Sequence, residues 1–334
     1  MSLHERLIVV DGLVFYSDGD ATTLLKGGVT AANLTVRLPV ESFEETFDNI
    51  TRWAALGTDP DSQWMLVRKA SDIAAAKAAG KVGLIMGFQE TKLLGDRAER
   101  VATFHAMGIR TMQLTYNEAC AVGDGCLEPR NAGLSKFGHA VVEEMNRVGM
   151  AFDLSHVGEQ TSLDAARHSK KPVLLTHANA KAVFNRVRNK SDEVIRAVAA
   201  TGGLCGASIH GFMNWDSDPA HPPTMDGFIR NVRHIVNLAG IDHVSFGTDF
   251  AAIGDPAAAD TFLAMSATRY GSGTGDFVRA FGNTLAKRFP DEINCPSLMP
   301  RKTDALLKAG FSESDVEKIM GANLVRVLGE IWGG

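Results

Sequence analysis

Residues 150–177 read MAFDLSHVGEQTSLDAARHSKKPVLLTH and set the architecture of the chain. Two apolar runs, Met150–Leu154 and Val173–Leu175, each lead into a histidine, His156 and His177. The segment between them has helical spacing. The order strand, helix, strand makes a parallel unit whose two strand tips lie side by side. The two imidazoles are therefore predicted to face one site, as ligands of a single metal ion must.

Similar apolar runs recur along the chain and alternate with helical segments. The six further runs are Leu7–Leu13, Val29–Val36, Val82–Phe88, Thr111–Leu114, Gly203–Ile209 and Val244–Phe246. They are nearly continuous, which is typical of parallel strands covered on both faces. Eight such strands with intervening helices predict an α/β fold, a (β/α)8 TIM barrel with extra C-terminal helices. No repeat and no Pro/Ser-rich linker divides the sequence, so we expect one barrel domain over residues 1–334.

Two regions outside the strands are expected to complete the barrel. Ser312–Asp315 has a capping-box pattern and leads into a predicted helix over Val316–Ile331, which we expect to pack on the barrel wall. The stretch Gly254–Pro300 lacks strand character and is expected to form helices and loops over one end.

Composition excludes several classes of protein. Hydrophobic residues make up 45% of the chain and charged residues 22%, which allows a large core. The net charge is −5 without a basic run, which argues against a nucleic-acid partner. No apolar run approaches the ~18 residues that cross a membrane, and the N-terminus does not resemble a signal peptide. Four scattered cysteines indicate a reducing cytoplasm, where we expect the protein to reside.

In a barrel of this kind the chemistry occupies the C-terminal tips of the strands. The residues at successive tips are Leu13 and Phe15, Thr35, Gln89 and Glu90, Tyr116 and Asn117, His156, His177, His210 and Asp249. A single polar residue at a strand end is usually a cap. Three histidines and an aspartate at four successive tips indicate a functional cluster, with buried structural groups as the alternative.

Each polar tip has more than one interpretation. His156 and His177 are metal-ligand candidates, because their matching strand positions outweigh the ordinary interpretation of either as a buried structural histidine. Asp249 is either a third ligand or the base that takes a proton from an activated water. His210 either lines the substrate pocket or packs under a loop. Arg188 follows the sixth strand in a predicted loop, where its guanidinium either holds a substrate carboxylate or stays solvated.

Several motifs carry a resemblance to a known family: GLSKFG at residues 133–138, DLSHV at 153–157, THAN at 176–179, RNKSD at 188–192 and GTDF at 247–250. On these motifs the sequence resembles the membrane (renal-type) dipeptidase family of the amidohydrolase superfamily over most of its length. The resemblance implies a barrel with two zinc ions, often dimeric, that cuts dipeptides. It therefore implies a homodimer and a small-molecule substrate whose free carboxylate is held by Arg188.

Three departures from the family pattern bear on the metals. The first strand, which in the family usually ends Asp-Gly-His-Asn-Asp, here reads Asp11-Gly12-Leu13-Val14-Phe15. The family's bridging glutamate aligns with Gln89, which we expect to line the substrate pocket, and Glu90 is adjacent. The family's substrate-contacting histidine aligns with Tyr116. Leucine and phenylalanine cannot bind a cation and an amide cannot supply the bridging charge, so we expect the first metal position to be lost.

Three functions stay open at this level. The first is a hydrolase with one zinc or other divalent ion at His156 and His177, completed by Asp249 or, after a one-residue shift of register, by Glu90. There Tyr116 donates a hydrogen bond to the developing oxyanion. The second is a catalytically altered relative that binds a small carboxylate without turnover. The third is metal-independent acid–base chemistry by Asp249 and His177.

Overall fold

The computed structural model describes residues 1–37, 41–254 and 274–333. The described strands are β1 (Val10–Ser17), β2 (Ala31–Arg37), β3 (Trp64–Leu66), β4 (Val82–Phe88), β5 (Ile109–Gln113), β6 (Ala151–Asp153), β7 (Leu174–Leu175), β8 (Leu204–Ala207), β9 (Val244–Phe246) and β10 (Phe250–Ala252). They form one sheet in the order β10-β1-β2-β4-β5-β6-β7-β8-β9, and β3 pairs with β4 beside this path. The pairings between these strands are all parallel.

The sheet curls until its two ends meet. β10 comes directly after β9 in the chain and pairs with β1, so the two short segments act as the eighth strand. Between them, the Asp249 backbone N–H donates to the Leu13 carbonyl at 2.9 Å. The Thr248 backbone N–H donates to the Asp11 carboxylate at 2.8 Å. The predicted (β/α)8 barrel is confirmed, and β3 is an addition that the sequence did not predict.

Helices cover the outside of the sheet. The described α-helices are α1 (Leu3–Arg6), α2 (Thr22–Lys26), α3 (Phe43–Thr58), α4 (Ser71–Ala78), α5 (Arg100–Ala106), α6 (Lys136–Val148), α7 (Glu159–His168), α8 (Asp192–Ala200), α9 (Met225–Ala239), α10 (Gly275–Phe281), α11 (Pro300–Lys308), α12 (Glu313–Glu317) and α13 (Asn323–Trp332). Serine side chains at 135 and 191 cap the N-termini of α6 and α8, as expected for residues that satisfy the first free N–H groups.

The C-terminal helix closes the N-terminal end of the barrel. The apolar side chains of α13 share one buried cluster with the first residues of several strands: Leu324, Val327, Leu328 and Ile331 with Val10, Ala31, Ala151, Leu174 and Leu204. A π-helical turn, Lys318–Ala322, separates α12 from α13. At Gly321 a Cβ atom would lie 2.1 Å from the Ile8 carbonyl, so this close approach requires glycine.

The predicted position of this helix, on the barrel wall, was therefore wrong, and the predicted single helix is two. Helical periodicity shows that a face is apolar but not which part of the protein it contacts. The stretch predicted to cover one end of the barrel contains α10 and the 3-10 helix Leu285–Arg288; its residues 255–273 lie outside the described part. Within the residues described, no helix is both long and apolar enough to cross a bilayer.

Candidate active site

His156 and His177 lie at the tips of β6 and β7 with their rings turned toward each other. Their Nε2 atoms are 3.1 Å apart and their ring centroids 5.1 Å apart. His177 is fully buried, and His156 is only 6% exposed. The juxtaposition expected from the parallel unit is present in the structure.

Hydrogen bonds to the other ring nitrogens assign the protons of this pair. The Nδ1 atom of His156 lies 2.7 Å from Asn117 Oδ1, an acceptor, and so carries the proton that it donates. The Nδ1 atom of His177 lies 2.8 Å from the Thr176 hydroxyl, whose own proton goes to Asp153 Oδ2 at 2.8 Å. His177 Nδ1 therefore also donates. Both Nε2 atoms are left with lone pairs that face the same point.

Asp153 fixes the two strand tips that carry the imidazoles. Its carboxylate accepts from the Ser155 N–H at 3.0 Å and hydroxyl at 2.6 Å. From the neighbouring strand it accepts the Thr176 N–H and hydroxyl, both at 2.8 Å. The Ser155 hydroxyl in turn accepts the His177 N–H at 3.0 Å. Burial raises the pKa of Asp153, and these four hydrogen bonds oppose that rise.

The electrostatics of the site keep both imidazoles neutral. Burial lowers the pKa of His156 and of His177 well below the usual value, and the nearby Arg188 guanidinium adds to the effect. Neutral imidazole is the metal-binding form. Two lone pairs 3.1 Å apart repel each other unless an electrophile lies between them. The donor set at this point therefore fits one divalent ion.

A third acidic ligand does not join the imidazoles. In the described residues no group of three or more His, Cys, Asp or Glu side chains is arranged to hold a metal. Asp249 is half-buried at a backbone φ of 63°, and it is part of no such group. Glu90 forms ion pairs with Arg37 at 2.5 Å and Lys92 at 3.4 Å, so its carboxylate is already engaged by two cations. The third ligand stays a prediction.

The residues Leu13–Phe15 of β1, called the β1 tip below, are apolar. Leu13 and Phe15 belong to a buried cluster with Ala251 of the adjoining β10 and Ile253 directly after it. None of these four side chains offers a lone pair to a cation. The residues at this position do not fit a metal ion, in line with the expected loss of the first metal site.

Arg188 lies among the polar groups of the site. It is 7% exposed, and its Nη1 donates to the Ser155 carbonyl beside His156. Its charge lowers the pKa of His210, which burial and a second arginine, Arg288, bring to about 3. It also opposes the rise that burial causes in the pKa of Asp249. The guanidinium is thus close to every predicted tip residue from β6 to β9.

The other predicted pocket residues have definite partners. Tyr116 stacks on His156, with ring centroids 4.2 Å apart and planes at 19°. Gln89 donates to Thr35 Oγ1 at 2.9 Å, and its buried Oε1 has no hydrogen-bond partner among the described residues. His210 Nδ1 accepts the backbone N–H two residues later at 3.3 Å, so this ring is also neutral. The roles of these three residues toward a substrate stay predictions.

Three supporting residues were not predicted. Asn117 is a strand-tip residue for which the sequence indicates no role, although it sets the tautomer of His156. Gln113 Oε1 accepts the His156 backbone N–H at 3.2 Å. Arg288, whose charge acts on Asp249 and His210, lies in the stretch without strand character. A polar residue at the end of β5 was a usable signal for Gln113, whereas nothing local marks Arg288.

Comparison with known proteins gives the family. The profile of the membrane dipeptidase family, peptidase family M19, matches residues 16–261, well over half of the chain. The chain belongs to the membrane dipeptidase family. The resemblance seen in the sequence motifs is confirmed.

Two curated relatives differ in how much of their length is matched. Dipeptidase tcpJ of Claviceps purpurea is 29% identical over 87% of this chain, which spans 60% of the length of that protein. A protein of the pqqA 5′ region of Klebsiella pneumoniae is 24% identical over 80% of this chain and 89% of its own.

Solved structures share the fold over the full chain. An amidohydrolase from Pseudomonas aeruginosa is 35% identical and superimposes with a TM-score of 0.84, covering 99% of this chain and 98% of its own. A metallopeptidase from Rhodobacter sphaeroides, bound to a phosphinate mimic of L-Ala-D-Ala, has a TM-score of 0.74 at 19% identity, covering 98% and 99%. At that identity the second similarity concerns the fold alone.

Proposed function

We propose that this member of the membrane dipeptidase family is a dipeptidase-like metallohydrolase with one divalent ion, zinc as the first choice, held by His156 and His177. The observation that carries the proposal is the pair of Nε2 lone pairs that face each other at 3.1 Å. Family membership supports a hydrolase acting on a peptide or related small amide bond. The apolar β1 tip supports a single metal rather than two.

Three residues near the histidine pair bind the substrate, transfer the proton and stabilise the oxyanion. Bound there, a divalent ion supplies Lewis acidity for the activation of water and of the scissile carbonyl. Arg188 binds the substrate carboxylate and so orients the amide. Asp249 takes a proton on its carboxylate and returns it to the leaving nitrogen; burial, which raises its pKa, favours the protonated form that this step needs. The Tyr116 hydroxyl donates to the developing oxyanion.

The substrate range depends on the β1 tip. Leu13 and Phe15 replace the family's first-metal ligands, so the amino group of an ordinary dipeptide loses a partner there. We infer that acylated amino acids and other small amides are candidates beside dipeptides. The L-Ala-D-Ala mimic in the Rhodobacter sphaeroides metallopeptidase makes that dipeptide a useful first compound. A homodimer and a cytoplasmic location stay proposals; the four described cysteines are all free thiols, which supports the second.

Stepwise reloading tests this function. The purified protein is stripped with a chelator, reloaded with Zn²⁺ in fractions of an equivalent, and assayed on L-Ala-D-Ala and on N-acetyl amino acids. We expect activity to rise linearly and to level off at one ion per chain. Turnover that survives complete removal of the metal would favour acid–base chemistry by Asp249 and His177 instead. A fully loaded protein that cleaves none of these compounds would contradict the proposal.

A further inference from the structure

Arg288 lies at the C-terminal side of the barrel although its sequence neighbourhood has no strand. It ends the 3-10 helix Leu285–Arg288, which packs against the short helix directly after His210. The next side chain, Phe289, contacts His210 with ring centroids 5.5 Å apart and Phe250 with centroids 4.5 Å apart. Because Phe250 is the residue after Asp249 in the chain, these two contacts place Phe289 and the adjoining backbone of Arg288 beside the ends of β8 and β9.

The guanidinium groups of Arg188 and Arg288 therefore both influence the ends of β8 and β9. The charges of Arg188 and Arg288 both lower the pKa of His210 and both oppose the rise in the pKa of Asp249. Arg188 also lowers the pKa of His156 and His177, whereas the described groups whose pKa Arg288 lowers are His210 and Asp249. Arg188 thus acts on both imidazoles of the pair as well as on His210 and Asp249, and Arg288 acts on His210 and Asp249.

Neither guanidinium has an anionic partner. In the part of the chain that the structure describes, Arg188 donates to the Ser155 carbonyl and Arg288 to Asn283 Oδ1 at 3.3 Å, and both acceptors are neutral. No described acidic side chain forms an ion pair with either arginine. Asp249 supplies one negative charge for two positive ones, and a bound divalent ion would widen the excess. Sites with two planar, unpaired guanidiniums suit ligands with two carboxylates.

We propose that Arg288 is a second carboxylate receptor and that it makes the enzyme prefer substrates whose C-terminal residue has an acidic side chain. Arg188 holds the main-chain carboxylate, and Arg288 holds the side-chain carboxylate. We assign the acidic group to the C-terminal half because Phe289, the neighbour of Arg288, contacts His210 and the residue after Asp249, and Asp249 is the proposed proton donor to the leaving nitrogen of that half. This inference rests on the proposed function, in which Arg188 binds the carboxylate of the amide that is cleaved.

The proposal is tested by the ratio of kcat/KM between substrates that differ only in a Glu or a Gln side chain. We compare kcat/KM for Ala-Glu with Ala-Gln, each with an L or a D C-terminal residue, and for Glu-Ala with Gln-Ala. The wild type is expected to prefer Ala-Glu over Ala-Gln by about tenfold or more, the range of a charged hydrogen-bonded pair. The ratio should approach one in Arg288→Gln and persist in Arg288→Lys. Arg279→Gln, which removes an exposed arginine of α10, should keep the wild-type ratio.

The ratio also separates this role from a merely positional one. If Arg288 only oriented Asp249, Arg288→Gln would slow both substrates equally and keep the ratio, which would overturn the proposal. A wild type without preference, or one with a preference only for Glu-Ala, would overturn it as well.

A binding measurement tests the second carboxylate receptor without requiring turnover. If no dipeptide is cleaved, the proposed function fails, but the second receptor is still measured by calorimetry with N-acetylglutamate and N-acetylglutamine. Tighter binding of N-acetylglutamate to the wild type, lost in Arg288→Gln, supports the receptor. Equal binding of the two compounds to the wild type contradicts it.

Discussion

The tips of β6 and β7 share a hydrogen-bond pattern with the contact between β1 and the tip of β9, yet the two places differ in chemistry. Asp153 accepts the N–H and hydroxyl of Thr176, both at 2.8 Å. Asp11 accepts the N–H of Thr248 at 2.8 Å and its hydroxyl at 2.5 Å. Each aspartate also accepts the N–H two residues after itself. In both places a buried carboxylate joins two parallel segments of the sheet.

The side chains beyond these two pairs of strand ends differ. Beyond Asp153 lie the facing imidazoles of His156 and His177, whereas beyond Asp11 lie Leu13 and Phe15 in an apolar cluster. The carboxylate–threonine arrangement is thus a structural connection that works with or without a metal beside it. Whether an ion can bind beside this arrangement depends on the side chains that follow the aspartate.

Removing one imidazole should have a larger effect than any other change at these tips. His177→Ala leaves one neutral nitrogen where two converge, so we expect metal content to fall from about one ion per chain toward zero and kcat/KM to fall about a thousandfold. The matched control is His221→Ala, which removes an exposed histidine and should keep both. Full metal content in His177→Ala, measured by mass spectrometry, would show that the imidazole pair is not the site.

The two carboxylates allow a direct contrast. Asp153→Asn and Asp11→Asn each place an amide among donors, and each should cost about 2–3 kcal/mol in the free energy of unfolding. Only Asp153 supports the imidazoles, so only Asp153→Asn should weaken metal affinity, by about 10–100-fold. Urea unfolding and competition with a chromogenic chelator give the two quantities. Equal losses of metal affinity in both variants would remove the distinction between the two tips.

The neutral histidines should make stability depend on pH. His210 has its pKa lowered to about 3 in the folded state, so the unfolded chain binds a proton below its usual value of 6.5 while the folded chain does not. Stability is therefore lost as the pH falls from 6.5 toward 3. At about pH 5 the loss from this residue is about 2 kcal/mol.

His210→Gln isolates this contribution. Between about pH 7.5 and pH 5, chelator-treated wild type should lose about 2 kcal/mol more than His210→Gln in urea unfolding. An identical loss in the two proteins would mean that His210 titrates in the folded state.

Local patterns in the sequence predicted much of the fold and of the metal pair. The runs that end at His156 and His177 are long and apolar enough to be strands, and a parallel unit fixes where their tips lie. β3 has only three residues, Trp64–Leu66, and its identity as a strand depends on pairing with β4. β6 and β7 are no longer than β3, and the sequence marks them because each lies in an apolar run that leads into a histidine.

The remaining features depend on contacts between distant parts of the chain. Tertiary packing determines which end of the barrel α13 closes and brings Arg288 close to Asp249. The local spacing of residues in the sequence predicts neither feature. Likewise, the pairing of Glu90 with Arg37 joins residues 53 positions apart. The alternative of Glu90 as a metal ligand stayed open in the sequence for that reason.

Anomalous diffraction from crystals grown with Zn²⁺ examines the one-metal account at the atoms concerned. The account predicts one peak per chain, about 2 Å from Nε2 of both His156 and His177, with no second peak beside Leu13 and Phe15. Saturated crystals without a peak between the two imidazoles, or with two peaks in this site, would contradict it.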